Sequence, residues 1–167
     1  MIEMSVAGIL LDAATKAPIV LLRDTTKRRA LPIWISQDQA RAIDSVLKGQ
    51  RLPRPMTHDL LTNLLGQWEM NLERVIIHAL QDQTFYAILK VRRGEEVKEL
   101  DARPSDAIAI ALRLGTPIWV MEEVVADASI PVDQEADEQE RAEFRQFLSG
   151  LNPSDFTQRN QRSGSES

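Results

Sequence analysis

The chain has 167 residues, 43% hydrophobic and 27% charged, with two histidines and no cysteine. That composition is ordinary for a globular protein and long enough for a domain with its own core. It excludes disulfides, thiolate nucleophiles and zinc–thiolate centres. Residues 1–126 carry 16 Lys and Arg against 16 Asp and Glu, whereas residues 127–167 carry 4 against 9, so the net charge of −5 lies in the tail. Net charge therefore neither repels nucleic acid from the body nor draws it in.

The first residues, MIEMSVAGILLDA, lack a basic region and include Glu3 and Asp12, which is unlike a signal peptide. No stretch approaches the ~20 apolar residues of a membrane span. With no cysteine to protect or pair, the expected location is the cytoplasm, without membrane contact. Residues 3–12 and 19–24 are strand-like around the turn DAATKAP, which predicts a hairpin, and ALPIWI at 30–35 predicts a third strand. Ala40, Ile43, Val46 and Leu47 recur at helical spacing over 37–48, with Ser36 as cap and Gly49 as stop. After the proline-broken loop QRLPRPM, Thr57 is a candidate cap for a helix over 58–66, with Leu60, Leu61, Leu64 and Leu65 as its apolar positions and Gly66 as its end. Three strands are expected at 70–80, 84–93 and 96–101, joined by turns at Asp82-Gln83 and Arg93-Gly94-Glu95. A helix over 104–114 ends at Gly115, and a strand at 117–121 follows.

Hairpins with helices inserted between them predict an α+β fold with a mostly antiparallel sheet. The expected divisions are a domain at 1–126, an acidic segment at 127–151 and a disordered tail at 152–167. In the middle segment Phe144, Phe147, Leu148 and Leu151 are spaced for a short amphipathic helix.

Two loops share one grammar. RPMTHDL at 54–60 and ARPSDAI at 102–108 each run arginine, proline, a hydroxyl residue and aspartate into an apolar helix. Pro104 suits a first helical turn, and Asp106 then meets free N–H groups and the positive end of the helix dipole. Capping needs one carboxylate, and it explains neither Asp101 nor Arg103. If the two helix starts faced each other, one site would gather His58, Asp59, Asp101, Asp106, Arg54 and Arg103. That set suits phosphodiester chemistry. Carboxylates can hold a divalent cation, arginines clamp phosphate oxygens, and histidine moves protons near neutral pH. No spacing rule brings the two loops together. The plainer reading makes Asp59 and Asp106 helix-start carboxylates, Arg103 the structural partner of a carboxylate, and His58 a solvated helix-start residue. His78 sits in a strand pattern and is read as structural. Trp34, Trp68 and Trp119 are read as core rather than as base-stacking platforms. Lys27-Arg28-Arg29 and Arg92-Arg93 are read as turn surface.

Several mechanisms are excluded. Two histidines are too few for a His–Asp metal phosphohydrolase. There is no Walker loop and no dinucleotide fingerprint, and Ser105 lacks the G-x-S-x-G context of a serine nucleophile.

RPMTHDL, followed about forty residues later by DARPSDAIAIALRLGTPIWV, resembles the bifunctional nuclease family, as do LPIWISQDQARAI at 31–43 and TFYAIL at 84–89. The resemblance covers roughly residues 1–125. It implies a compact α+β domain, self-association into a dimer or larger homo-oligomer, and a nuclease cutting DNA and RNA with little sequence preference. The clustered carboxylates add the expectation of a divalent cation, Mg²⁺ or Mn²⁺, and no organic cofactor is expected. The family motifs fall on Arg54, Pro55, Thr57, His58, Asp59, Asp101, Arg103, Pro104, Ser105 and Asp106, the residues the chemistry already picks, with His58, Asp59, Asp101 and Asp106 expected as catalytic and Asp101 and Asp106 also as metal ligands. Arg54, Thr57, Arg103 and Ser105 are marked for substrate phosphate. Gln39 departs from the pattern, standing where relatives usually carry an acidic residue. Two other readings remain open: a non-catalytic module binding a phosphorylated ligand, and a structural oligomer whose loop charges are satisfied across a subunit interface.

Overall fold

The computed structural model describes residues 1–132 and, beyond them, 139, 142–146, 149 and 150. β1 (Ile2–Leu11), β2 (Pro18–Asp24) and β3 (Arg29–Trp34) form an antiparallel meander. Two helices follow, α1 (Gln37–Leu47) and α2 (Thr57–Gln67). β4 (Asn71–Gln81), β5 (Thr84–Arg93) and β6 (Glu96–Ala102) make a second antiparallel meander. The β4–β5 turn places Asp82 and Gln83 at φ of 48° and 62°, the left-handed pair of a tight hairpin turn. α3 (Pro104–Leu114) then leads to β7 (Ile118–Val120), which lies parallel to β4 and antiparallel to β1 and so joins the two meanders. α4 (Glu122–Ala128) and β8 (Ile130–Pro131) complete the set, with β8 pairing β3. The sheet order is β6-β5-β4-β7-β1-β2-β3-β8. The fold is α+β with a mostly antiparallel sheet, as the hairpin pattern predicts.

β2 is buried on both faces: Ile19 and Leu21 point one way, Val20 and Leu22 the other. α3 is the central helix. It packs against α1 and α2 and against β4 and β5, and Ala107 through Ala111 are at most 2% exposed. A helix covered on nearly every side needs an apolar surface nearly all round, which accounts for the unbroken run after Asp106. Gly115 ends it at φ 64°, the left-handed cap that glycine adopts without strain.

The structure corrects several expectations. α2 buries only Leu65 of its leucines, while Leu60 and Leu64 are 62% and 48% exposed. α2 packs chiefly on α3, so a narrow stripe suffices. Thr57 is the first helical residue rather than the cap, and the N-cap is Met56. Trp34 and Trp68 are 54% and 55% exposed rather than core. The Trp34 indole N–H donates to Asp12 Oδ2 at 3.0 Å, and Trp68 lies under the Arg93 guanidinium at 5.8 Å. Arg92 pairs with Glu73. α4 and β8 are not predicted by the sequence reading. The glutamates that begin α4 obscure a helix whose anchors, Val124 and Val125, are buried.

Residues Met1–Val132 make one unit, and the chain from Asp133 onward is another. In the latter, 142–146 are helical and Phe144 is buried. Phe147, Leu148, Leu151 and the expected disordered tail at 152–167 lie outside the described residues. Among the described residues no helix is long and apolar enough to cross a membrane.

Candidate functional site

The two polar loops meet. His58, in the first turn of α2, places Nε2 2.8 Å from Oδ1 of Asp106, in the first turn of α3. Oδ2 of Asp106 accepts from Arg103 Nε at 2.7 Å. Burial pushes the Asp106 carboxyl up, but the bonds from Arg103 and His58 outweigh it and hold the carboxyl below its ordinary value. The same bond raises Arg103 above its ordinary value. An ionised carboxylate only accepts, so His58 Nε2 carries the hydrogen and Nδ1 is left as the basic nitrogen.

The helix starts show why Asp106 is available for this. Each of the first three helices carries a polar residue three positions after its N-cap. Gln39 Oε1 accepts the Ser36 N–H at 2.8 Å, and Asp59 Oδ2 accepts the Met56 N–H at 2.8 Å, so both are engaged in capping boxes. Asp106 occupies the same position in α3 but gives its two oxygens to the side chains of His58 and Arg103 instead. At the third helix start, proline and the approach from β6 replace capping with a side-chain cluster.

An open cavity of about 720 Å³ lies beside the cluster. Thr57, His58, Asp101, Arg103 and Asp106 all line it. Asp101 comes from the end of β6, where it pairs Ile88 of β5, and it makes no side-chain bond with another described residue. Asp38, Gln39 and Arg41 of α1 contribute to the same wall. Neither Asp38 nor Arg41 is singled out by the sequence reading. Their three-residue spacing on α1 puts them on one helix face, but nothing in the sequence says which face meets α3.

Asp59, Arg54 and Ser105 stand elsewhere. Arg54 is exposed on the loop before α2 and does not line the cavity. Ser105 is 5% exposed and borders a neighbouring depression. Asp59 Oδ1 accepts from Arg113 Nε at 2.6 Å. Arg113, whose side chain is 7% exposed, also donates through Nη1 to Ala42 O at 3.0 Å and Ala109 O at 2.9 Å. One guanidinium thus ties α1, α2 and α3 together behind the cavity. The bonds from Arg113 and from the Met56 N–H hold the Asp59 carboxyl below its ordinary value. Arg113 is also missed by the sequence reading, although a lone arginine in an otherwise apolar helix is the signal of a buried cation seeking a carboxylate. Both aspartates of the two loops find their arginines within the same chain, so neither pair needs a second subunit.

Among the described residues no three His, Asp or Glu side chains stand close enough together to hold a metal ion. Asp106, expected as a ligand, has both oxygens engaged. Among the described residues the cavity offers two carboxylates without a side-chain partner, Asp101 and Asp38. That donor set does not fit a closed cage, but it fits Mg²⁺ or Mn²⁺, which keep much of their water shell.

The fold and cavity therefore define an α+β protein with a histidine, an arginine and carboxylates at one opening. Residues 20–133 match the bifunctional nuclease domain, and the chain belongs to that family. It is 42% identical over 162 residues to an uncharacterized protein of Mycobacterium tuberculosis (strain H37Rv), covering 92% of this chain and 97% of that protein. It is 28% identical over 128 residues to bifunctional nuclease 1 of Oryza sativa subsp. japonica, covering 75% of this chain and 39% of the plant protein.

Proposed function

We propose that this chain is a cytosolic nuclease that hydrolyses phosphodiester bonds of DNA and RNA, with its centre at His58, Asp106, Arg103 and Asp101. The observation that carries the reading is the 2.8 Å contact between His58 and Asp106 at the cavity wall. An imidazole held by an ionised carboxylate in one tautomer is a prepared general base. His58 Nδ1 takes a proton from water as its oxygen bonds to phosphorus, Asp106 stabilises the imidazolium that results, Arg103 binds a phosphate oxygen as charge develops on it, and the P–O ester bond breaks with the departing sugar oxygen taking a proton from solvent. Thr57 adds a hydroxyl to the same wall. A divalent cation bound through Asp101 would neutralise phosphate charge and lower the pKa of water. Membership of the family and the name of the plant relative support the activity.

Arg54, outside the cavity wall, would act on substrate only through long-range electrostatic attraction. Asp59 acts as a positioning residue: through Arg113 it sets where α2, and with it His58, sits. Self-association belongs to the same proposal, with the exposed Leu60 and Leu64 of α2 as its surface.

The neutral charge of residues 1–126 favours a second reading, a module that binds a phosphorylated ligand without turnover. The test is cleavage of end-labelled single-stranded DNA and RNA in Mg²⁺, Mn²⁺ or EDTA, with His58→Ala and Asp101→Asn purified identically. Cutting that both variants lose supports the nuclease. Binding without cutting by the wild-type protein supports the module.

A further inference from the structure

Beyond Arg103 the surface continues as a trough. A second depression is bordered by Arg103 and Gln39, which it shares with the main cavity, and by Trp34, Gln83 and Phe85. A third depression, of about 630 Å³, shares Trp34, Gln83 and Phe85 with the second and runs on to Ile130. The three therefore adjoin one another along these shared side chains. An arginine stands at the cavity end, and two aromatic rings line the walls further along. Trp34 is 54% exposed, yet its ring is not loose, because the indole N–H is fixed to Asp12 Oδ2 at 3.0 Å. Phe85 is the second residue of β5, just after the tight Asp82-Gln83 turn, and Gln83 lines the same depression.

We infer that this trough is a base-binding subsite, in which an unpaired nucleotide adjoining the phosphate held at Arg103 stacks on Trp34 and Phe85. The inference rests on the nuclease reading of the cavity and adds a substrate class to it: single-stranded nucleic acid is preferred over duplex. A rigid, half-exposed aromatic face next to a cationic side chain is the pairing that sequence-tolerant single-strand binders use, because every base has a π-face and every nucleotide a phosphate. A paired base keeps its faces covered by its neighbours in the stack and cannot enter without being turned out of the duplex. Gln39, whose Oε1 is held by the Ser36 N–H, has only its amide N–H groups left for a base edge, and Gln83 lines the same depression.

The test uses the full-length protein and a fluorescein-labelled twelve-nucleotide deoxythymidine strand in EDTA, read by anisotropy, beside a twelve-base-pair duplex. A labelled twelve-residue strand of abasic tetrahydrofuran sites, a phosphodiester chain without bases or rings that stack, reports the cavity alone. Trp34→Ala is expected to weaken single-strand binding about tenfold, Trp34→Phe to restore most of it, and hydrolysis of the base-free diester to stay within about twofold of wild type. Wild type is expected to bind the duplex more weakly than the single strand. Unchanged single-strand binding in Trp34→Ala overturns the inference. So does equal affinity for duplex, or an equal loss toward the base-free diester, which would mark Trp34 as a structural residue. A Trp34→Ala protein whose sedimentation shows loss of an oligomer also overturns it, by assigning the trough to a second copy of the chain. If the wild-type protein binds the strand through Trp34 but hydrolyses neither substrate, the subsite stands and the nuclease reading falls. If it hydrolyses both and Trp34 is indifferent, the nuclease reading stands and the subsite falls.

Discussion

Asp59 and Arg113 stand 54 residues apart in sequence and join at 2.6 Å behind the cavity. Because Arg113 also reaches carbonyls of α1 and α3, this pair fixes the spacing of the helices whose first turns carry His58 and Asp106. Arg113 is nearly buried, so Asp59→Ala strands an uncompensated cation. That substitution is expected to cost about 3 kcal/mol of stability, measured by urea unfolding at neutral pH. Arg113→Lys in the otherwise wild-type chain should also be less stable than wild type, because an ammonium cannot reach the three acceptors of the fork at once. A loss below about 1 kcal/mol for Asp59→Ala would show that the pair is peripheral.

Acid stability follows from the same carboxylates. Asp59 and Asp106 are both held below their ordinary values in the folded protein. A carboxyl whose folded pKa is depressed contributes stability that is complete above its unfolded value, about 3.9, and is lost as pH falls through the folded value. The urea midpoint should therefore hold steady from neutral pH to about 5 and decline below about 4. In Asp59→Asn the neutral-pH midpoint should be lower and the acid decline shallower. An acid decline as steep in Asp59→Asn as in wild type would remove Asp59 from the account.

Gln39 is held in a capping box through Oε1, and Glu presents an oxygen in the same place. Gln39→Glu should leave the melting temperature within a few degrees of wild type. The same change adds a carboxylate to a cavity wall that already holds Asp38 and Asp101. Mn²⁺ should bind the variant more tightly, read by calorimetry without substrate. Unchanged Mn²⁺ affinity would separate position 39 from any cation.

Self-association through α2 has a direct readout. Leu60→Asp with Leu64→Asp places two charges on a face that is exposed in the single chain, so folding should be little affected. Sedimentation velocity should show the oligomer of the wild-type protein replaced by monomer. A wild-type protein that is already monomeric at micromolar concentration would rule this surface out.

Much of the fold is legible in the sequence because its signals are local. Turn residues at 82–83 and 94, Pro104 opening α3 and Gly115 closing it set the element boundaries, and alternating strands set the class. The candidate site is half legible. Both loops can be picked out by their shared grammar, but their meeting depends on how α2 packs against α3, which no spacing encodes. Arg113 escapes notice because its sequence neighbours are apolar and its partner is 54 residues away. Asp38 and Arg41 escape for a similar reason, since an exposed helix face and a cavity-facing one carry the same residues. Trp34 misleads in the other direction: an aromatic residue in an apolar strand predicts burial, yet it ends β3 with its ring fixed at the surface by Asp12. α4 is hidden by Glu122 and Glu123, which give its start the look of a polar linker.

The central claim is that Asp106 orients His58 as a base. The measurement that tests it most directly is single-turnover cleavage of a labelled single strand by Asp106→Asn, at saturating protein and in the cation that supports wild-type activity, with circular dichroism confirming the fold. Asparagine can occupy the same space but neither carries the charge nor enforces the tautomer. The account predicts a cleavage rate reduced at least about 100-fold, matched by His58→Ala, with no further loss when the two changes are combined. Cleavage by Asp106→Asn within a few-fold of wild type, or losses that multiply in the double variant, would contradict it.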